Sequence, residues 1–454
     1  MDRSWPSRAR RWSAVVVVAL LAACTSGGGE PEGTVEPDEA PGGLVWTRSE
    51  APSLRSDRRG GTLGDVITAP GGGFLVAGTV FDADGRPSPT VWSSPDGERW
   101  DATELPADDG ARLWAAAAAN GTTVVAGQAG ADRRGPAVVY VAAPDAGFEL
   151  VDDPVLQQPG LVINTLAGGT GGFLAVGARR SDPDKRTAVF HSDDGQQWRA
   201  LEGADDLLAE ASGSAVGAAA VGPGGLVMVG SIDGPSGRVG VVWHSADGNT
   251  WNQTATFSGT SGVAMNTVAV LRNGFVAAGH EEVDGLREPR VWRSRDGRAW
   301  EPVEAEFELL GTMTDNVGVT VRALDYANGW MAAGGGSGAE RLWRGSYDLR
   351  SWTEVPLPPG LAGVETPAFD LLATRASATL VGASAAGRPV LLREQNDTVT
   401  EITATETAFP EPGAEVWIHD AVTTEHGPVL LGAVATEERA VGQRRRLARV
   451  WRPD

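Results

Sequence analysis

The chain has 454 residues, a formal net charge of −21 and a single cysteine. One cysteine excludes a disulfide-held scaffold and any zinc or iron–sulfur site built on cysteine ligands. The acidic balance argues against a nucleic-acid-binding protein, because such proteins need a basic face to displace phosphate counterions. The mean hydropathy of −0.16 excludes a polytopic membrane protein. A hydrophobic content of 41% is nevertheless enough for a packed core.

The first residues have the features of an export signal. Residues 1–12 are basic, and the apolar run over 14–23 is shorter than the roughly 20 residues that span a bilayer. We predict a secretory signal peptide over 1–23. It ends in Leu-Ala-Ala followed by Cys24, which resembles a bacterial lipobox. The resemblance implies that Cys24 carries acyl chains such as palmitate, so we expect a lipoprotein on the cell membrane, facing outward from the cytoplasm in a bacterial envelope.

The segment after the cysteine differs from the rest of the chain. Residues 25–43 are rich in Gly, Pro, Glu and Thr and cannot bury enough apolar surface to order themselves. We predict that residues 24–43 form a flexible acidic tether that carries the lipidated cysteine. The remaining residues, 44–454, form the body of the protein.

The body is built from a sequence repeat. Its hallmark is an aromatic residue followed by a Ser-x-Asp-Gly turn and a Trp, recurring at intervals of about 50 residues, the length of a four-stranded propeller blade. The Ser, Asp and Trp positions of the clearest copies are Ser94, Asp96, Trp100, Ser192, Asp194, Trp198, Ser245, Asp247, Trp251, Ser294, Asp296 and Trp300. A looser copy ends at Trp352 and a degenerate one contains Tyr140. Asp-Gly between apolar residues is a strong hairpin signal, because such a turn needs φ > 0.

The blade number follows from a second repeated feature, a Gly that ends an apolar run. It occurs at Gly78, Gly127, Gly177, Gly230, Gly279, Gly334, Gly382 and Gly432. We therefore predict an all-β, eight-bladed β-propeller. The alternative is seven blades plus an extra hairpin, because the seventh repeat, over 391–405, has lost its aromatic pair. Residues 44–50 match a fourth strand and 449–454 match a third, so the N-terminal strand is predicted to complete the last blade and leave no orphan edge.

The repeated turn resembles the Asp-box, or BNR repeat, of sialidases and related propellers, over nearly all of 44–454. The family's box is one residue longer, Ser-x-Asp-x-Gly-x-Thr-Trp. The resemblance implies that the Ser and Asp of each box are structural and bond to the turn backbone, while the aromatic packs between sheets. Sialidase chemistry also needs three clamping arginines, a Tyr with a Glu partner and an acid/base Asp. The family's Arg-Ile-Pro motif is missing, and only Tyr326 lies on an inner strand, so no catalytic residue is assigned.

A ligand site is predicted where the inner strands begin, at the mouth of the central channel. Counting back 12 or 13 residues from the Gly that ends each apolar run gives one position per repeat. These positions are Asp65, Trp114, Asn164, Gly217, Asn266, Arg322, Asp370 and His419. Such residues can be polar simply because they lie near a solvated rim. As a ligand site, Trp114 would supply a stacking platform and Arg322 an anion anchor.

The leading functional prediction is a non-catalytic binding or scaffolding module for a glycan, a peptide or an envelope protein. The alternatives are a divergent sialidase-like glycoside hydrolase acting on surface glycans, and a purely structural envelope protein. We expect a monomeric propeller with a membrane partner through its lipid anchor, without cofactor, metal site or nucleic-acid partner.

Overall fold

A computed structural model describes residues 46–48, 60–82, 84–97, 99–130, 135–143, 146–179, 187–200, 215–222, 224–235, 237–248, 250–259, 262–271, 274–308, 319–326, 330–336, 339–356, 370–373, 378–383, 389–395, 398–401, 415–424, 427–437 and 444–453. The predicted signal peptide, Cys24 and tether lie outside these residues.

The described residues form β-strands and turns, and none of them is helical. After the short strand β1 (Trp46–Arg48), the strands fall into antiparallel units that we number along the chain. Unit 1 contains β2 (Gly60–Thr68), β3 (Phe74–Phe81), β4 (Pro87–Ser94) and β5 (Asp101–Glu104). Unit 2 contains β6 (Ala111–Ala119), β7 (Thr122–Ala129), β8 (Ala137–Ala142) and β9 (Glu149–Leu150). Unit 3 contains β10 (Leu161–Gly169), β11 (Gly172–Arg179), β12 (Thr187–Ser192) and β13 (Arg199–Ala200).

The next three units repeat this order. Unit 4 contains β14 (Ala215–Gly222), β15 (Gly225–Gly234), β16 (Gly237–Ser245) and β17 (Trp251–Phe257). Unit 5 contains β18 (Gly262–Leu271), β19 (Gly274–Val283), β20 (Leu286–Ser294) and β21 (Trp300–Val303). The linker strand β22 (Glu306–Phe307) precedes unit 6, which contains β23 (Thr320–Tyr326), β24 (Trp330–Gly336), β25 (Ala339–Gly345) and β26 (Ser351–Val355).

The last two units bring the chain ends together. Unit 7 contains β27 (Asp370–Ala373), β28 (Ala378–Ala383), β29 (Pro389–Gln395) and β30 (Thr398–Glu401). Unit 8 contains β31 (Glu415–Thr424), β32 (Gly427–Glu437) and β33 (Arg444–Pro453). Its fourth strand is β1, which pairs with β33 in the register Trp46↔Pro453 to Arg48↔Trp451. The predicted pairing of the N-terminal strand with the last unit is therefore present.

The first strands of successive units pack side by side and return to their starting point. Each first strand contacts that of the next unit, and β2 contacts both β31 and β33 of unit 8. The second strand of each well-described unit is buried along most of its length, as in β3 and β7, because sheets of neighbouring units cover both of its faces. This arrangement confirms the predicted all-β propeller fold.

The Ser-x-Asp-Gly-x-x-Trp turns share one hydrogen-bond pattern. In unit 3, Ser192 Oγ donates to Asp194 Oδ1 (3.1 Å) and accepts the N–H of Gly195 (2.8 Å), and the Trp198 indole N–H donates to the Gly195 carbonyl (2.9 Å). The same bonds occur in the copies at Ser94, Ser245 and Ser294. In the last copy, the N–H groups of Ala299 and Arg298 lower the pKa of Asp296, which keeps this acceptor ionised.

The looser copy in unit 6 keeps two of these bonds, has a different residue at the glycine position, and lets the Ser346 hydroxyl accept the Ser351 N–H (3.0 Å) instead. Ser346 Oγ donates to Asp348 Oδ1 (2.7 Å), and the Trp352 indole donates to the carbonyl of Leu349 (2.8 Å). Leu349 adopts φ 67° and is 4% exposed. A leucine is strained in this left-handed region, and its burial in the core between units 5 and 6 offsets that strain.

The first aromatic of a turn can bind the linker that leads into its own unit. The Tyr140 hydroxyl donates to the Pro106 carbonyl (2.6 Å), and burial raises its pKa to about 12. In unit 6 the Trp343 indole donates to the Glu308 carbonyl (3.1 Å) just beyond β22. There β22 pairs parallel with β26, and Phe307 stacks on Trp352 with ring centroids 5.1 Å apart. The linker thus covers the outer edge of unit 6.

Two buried histidines join neighbouring units beneath these turns. The Nε2 of His191 is 2.9 Å from the Gly171 carbonyl, and that of His244 is 2.7 Å from the Gly224 carbonyl, so each Nε2 carries a proton and donates it. The His191 ring lies where a Cβ on Gly248 of unit 4 would stand, and His244 occupies the same place beneath Gly297 of unit 5. These two histidines are therefore packing residues between units.

Replacement of Gly248 by Ala tests this contact. Gly248 has φ +74° and its added Cβ would overlap the His191 imidazole, whereas Gly85 has φ +81° and nothing within 4 Å. We expect Gly85→Ala to lower the free energy of unfolding by about 1 kcal/mol through backbone strain alone. Gly248→Ala should lower it by about 2–4 kcal/mol, because overpacking adds to the strain. Urea unfolding of both variants measures the difference, and equal losses would show that the His191 contact is unimportant.

Candidate functional site

The predicted ring coincides with an irregularity of the first strands. In units 1 to 6 and 8 the pairing of the first and second strands shifts register at the predicted position. The residues at these β-bulges are Asp65, Trp114, Asn164, Gly217, Asn266, Arg322 and His419. A bulge leaves one residue outside the ladder and redirects its side chain. Asp370 is the first residue of β27, and the pairing of that strand is regular from there on.

The bulges also affect the carbonyl just before them, which in three units accepts a hydrogen bond from the preceding unit. The Trp114 indole N–H donates to the Ile163 carbonyl (2.6 Å) of unit 3. Asn266 Nδ2 donates to the Val321 carbonyl (2.9 Å) of unit 6. At the corresponding place in unit 2, the Leu113 N–H donates to the Thr79 hydroxyl (3.1 Å), which lies 3.4 Å from the Leu113 carbonyl. Ring side chains therefore serve as connections between units.

Asp65 and Gly217 join neighbouring units in other ways. The Asp65 carboxylate accepts the Ala116 N–H of unit 2 (3.1 Å). Gly217 has no side chain, and a Cβ there would meet the Met265 carbonyl (2.5 Å) and the Asn266 Cα (3.0 Å) of unit 5. Close approach of two backbones is thus the contact at this position, and glycine is required for it.

Asn164 is the exception among the ring side chains that the structure describes. It is exposed although its neighbours on β10 are buried, and within the described residues its amide makes no hydrogen bond. Thr165, which follows it, is 7% exposed, and its hydroxyl has no partner among the same residues. Arg322, Asp370 and His419 are placed on β23, β27 and β31, and their side chains lie outside what the structure describes.

A polar cluster of Asn266, His280 and Thr320 lies between units 5 and 6, and the sequence does not predict it. Asn266 Nδ2 donates to Thr320 Oγ1 (2.7 Å), and His280 Nδ1 lies 2.8 Å from the same oxygen. The Thr320 hydroxyl also lies within donating distance of the Val321 carbonyl (3.4 Å), so the three side chains and this carbonyl form one network. Burial, with the charges of Arg287 and Arg238, lowers the pKa of His280 to about 4. The only sequence signal is position, since His280 directly follows Gly279, as Thr79 follows Gly78.

The described residues contain no group of three or more His, Cys, Asp or Glu side chains that could hold a metal ion. In the same part of the chain, no helix is long and apolar enough to cross a bilayer.

Comparisons with known proteins yield structural similarities only. No known family profile and no curated protein sequence matches the chain. Among solved structures, YCF48 bound to D1 peptide aligns with a TM-score of 0.42 and 15% identity, over 77% of this chain and 95% of that one. A prolyl endopeptidase aligns with a TM-score of 0.47 and 14% identity, over 82% of this chain and 53% of the peptidase chain. The β-propeller domain of the Trilobed protease from Pyrococcus furiosus aligns with a TM-score of 0.42 and 11% identity, over 76% of this chain and 98% of that domain. The fold assignment rests on the strand pairing of this chain, and the lipobox and Asp-box resemblances stay predictions.

Acidification should lower the free energy of unfolding through His280, which lies between units 5 and 6. His280 has a folded-state pKa of about 4, below the 6.5 that is usual for histidine, so between these values the unfolded chain binds a proton that the folded chain does not. Stability from this group is complete above about pH 6.5 and is lost as pH falls towards about 4. The wild type should lose up to about 3 kcal/mol more than His280→Gln over this range. Urea unfolding against pH measures the difference, and parallel curves would contradict the assignment.

Proposed function

We propose that this chain is a non-catalytic binding module, built as an eight-bladed propeller that β1 closes, with its ligand at the channel mouth. The observation that carries the proposal is the use of the ring side chains. Asp65, Trp114 and Asn266 bond to the neighbouring unit, so these three ring positions form a fixed frame. A fixed frame favours binding, because little ordering is needed when the ligand arrives.

The hydrolase alternative makes a stronger demand on the same residues. A sialidase-like reaction would need an acid/base carboxylate, a nucleophile and arginines around one sugar, for which Asp65, Asp370, Tyr326 and Arg322 are the available residues. Asp65 already accepts a backbone N–H. We therefore propose that the chain binds its ligand without converting it, and that the acidic surface of the protein serves its solubility.

A thermal-shift screen tests this function. The full chain in detergent is screened against cell-wall saccharides, sialosides, short peptides and divalent cations. A ligand that binds only the folded state raises the unfolding midpoint. We expect a rise with one class, lost in Trp114→Ala or Arg322→Ala and retained in Tyr347→Ala, whose ring is 85% exposed at a turn.

Two outcomes would contradict the proposal. One is the absence of any shift that depends on a ring residue, which would favour a purely structural protein. The other is turnover of a fluorogenic glycoside that is abolished by Tyr326→Phe or Asp370→Ala, which would establish the hydrolase.

We further propose that Cys24 is lipidated and holds the propeller on the outer side of a bacterial membrane. The support is the sequence before Cys24, which is the only cysteine of the chain. Wild-type protein expressed in a bacterium with labelled palmitate should incorporate label and remain with the membrane fraction. Cys24→Ala should incorporate none and be recovered in the soluble fraction. Label in the variant, or an unlabelled wild type, would exclude lipidation at this residue.

A further inference from the structure

We propose that units 2 to 4 form a subsite of the ring for a neutral pyranose sugar, with Trp114 as its platform and Asn164 as its hydrogen-bonding group. The inference rests on the proposed function, because it assumes that the channel mouth binds a ligand. It adds the chemical class of that ligand and the part of the ring that recognises it.

The position of Asn164 is the first step of the argument. Its counterpart in unit 5, Asn266, uses its amide to bind Thr320 and Val321 of the next unit. Asn164 stands at the equivalent bulge of unit 3 but is exposed and makes no such bond within the described residues. An asparagine amide offers two donor hydrogens and one acceptor oxygen. At Asn164 no described residue takes up these donors or the acceptor, so we assign them to the ligand.

Trp114 places an aromatic surface next to this amide. Its indole N–H is fixed on the carbonyl of Ile163, the residue before Asn164. Part of the ring packs on the core of units 2 and 3, and the rest is accessible. The hydrogen bond holds the indole in one orientation before any ligand binds. A rigid aromatic that is apolar on its faces suits the C–H face of a pyranose.

The ring position that follows Asn164 carries no side chain. Gly217 of unit 4 therefore cannot compete for the Asn164 amide, which leaves that amide to a ligand hydroxyl. The Thr165 hydroxyl beside Asn164 is too deeply buried to contact the same ligand.

The ring positions of units 2 to 4 are uncharged, as is Asn266 of unit 5. Those of units 2, 3 and 4 are Trp114, Asn164 and Gly217. Aspartates and an arginine stand at the ring positions of units 1, 6 and 7, namely Asp65, Arg322 and Asp370. A neutral sugar needs no countercharge, whereas a sialoside carboxylate would be drawn to Arg322. The uncharged part therefore fits a neutral saccharide.

The two asparagines form a matched pair for the test. The full chain in detergent is titrated with chitobiose and with mannobiose by isothermal calorimetry, and its unfolding midpoint is recorded without sugar. Asn164→Ala should weaken the affinity for the tighter-binding disaccharide by about fivefold to tenfold. It should leave the unfolding midpoint unchanged, since only bonds to the ligand are removed. Asn266→Ala should lower the midpoint, because its amide bonds to Thr320 and Val321 of the next unit. Tyr347→Ala, at an exposed turn, should leave both the midpoint and the affinity unchanged. Trp114→Phe keeps the aromatic face and should weaken binding less than Trp114→Ala.

The possible failures are distinguishable. If binding is lost in Arg322→Ala or Asp370→Ala and kept in Asn164→Ala, the subsite is wrong and the mouth still binds a ligand. If neither disaccharide binds but a peptide or a sialoside binds at the ring, the assignment of a neutral sugar as the ligand is wrong and the proposed binding function stands. If nothing binds at the ring, both proposals fall.

Discussion

The way the units are joined depends on hydrogen bonds to backbone carbonyls that the β-bulges of the first strands release from strand pairing. A regular first strand would bond to the second strand alone and would have no directional link to the next unit. The bulge releases a carbonyl, and the preceding unit supplies the donor, as Trp114 does for Ile163 and Asn266 does for Val321. Burial of such a carbonyl without a partner would be unfavourable. The angular order of the units is thus fixed by hydrogen bonds as well as by apolar packing.

The outer half of each unit is held by different means. There the Ser-x-Asp-Gly-x-x-Trp turns satisfy their own backbone within a few residues, and their glycines allow histidines such as His191 to pack beneath them. Polar groups therefore act within a unit at the turns and between units at the ring. The division explains how a unit can lose its turn motif, as unit 7 has, and still pair its four strands.

The repeat, the strand order and the position of the ring could be predicted from the sequence, because each depends on spacing within one repeat. The roles of the ring residues could not, because their partners are far away in the chain, 49 residues from Trp114 to Ile163. The position of His280 directly after Gly279 does not reveal its role, because its low pKa comes from burial between two units and from arginines of other strands. Leu349 would be excluded from a left-handed turn by propensity alone, and only its buried surroundings explain it.

The pairing of β1 with β33 determines when the fold can be completed. Trp46 and Pro453 lie at opposite ends of the body of the chain, so their contact is nearly as non-local as this polypeptide allows. Contacts of this kind form late, since the entropy of closing a long loop must be overcome before they stabilise anything. Units 1 to 7 can each assemble from adjacent residues as the chain emerges, whereas unit 8 waits for both ends. A nascent or truncated chain that lacks residues 444–453 would therefore leave β1 without a partner and expose β32 as an unpaired sheet edge.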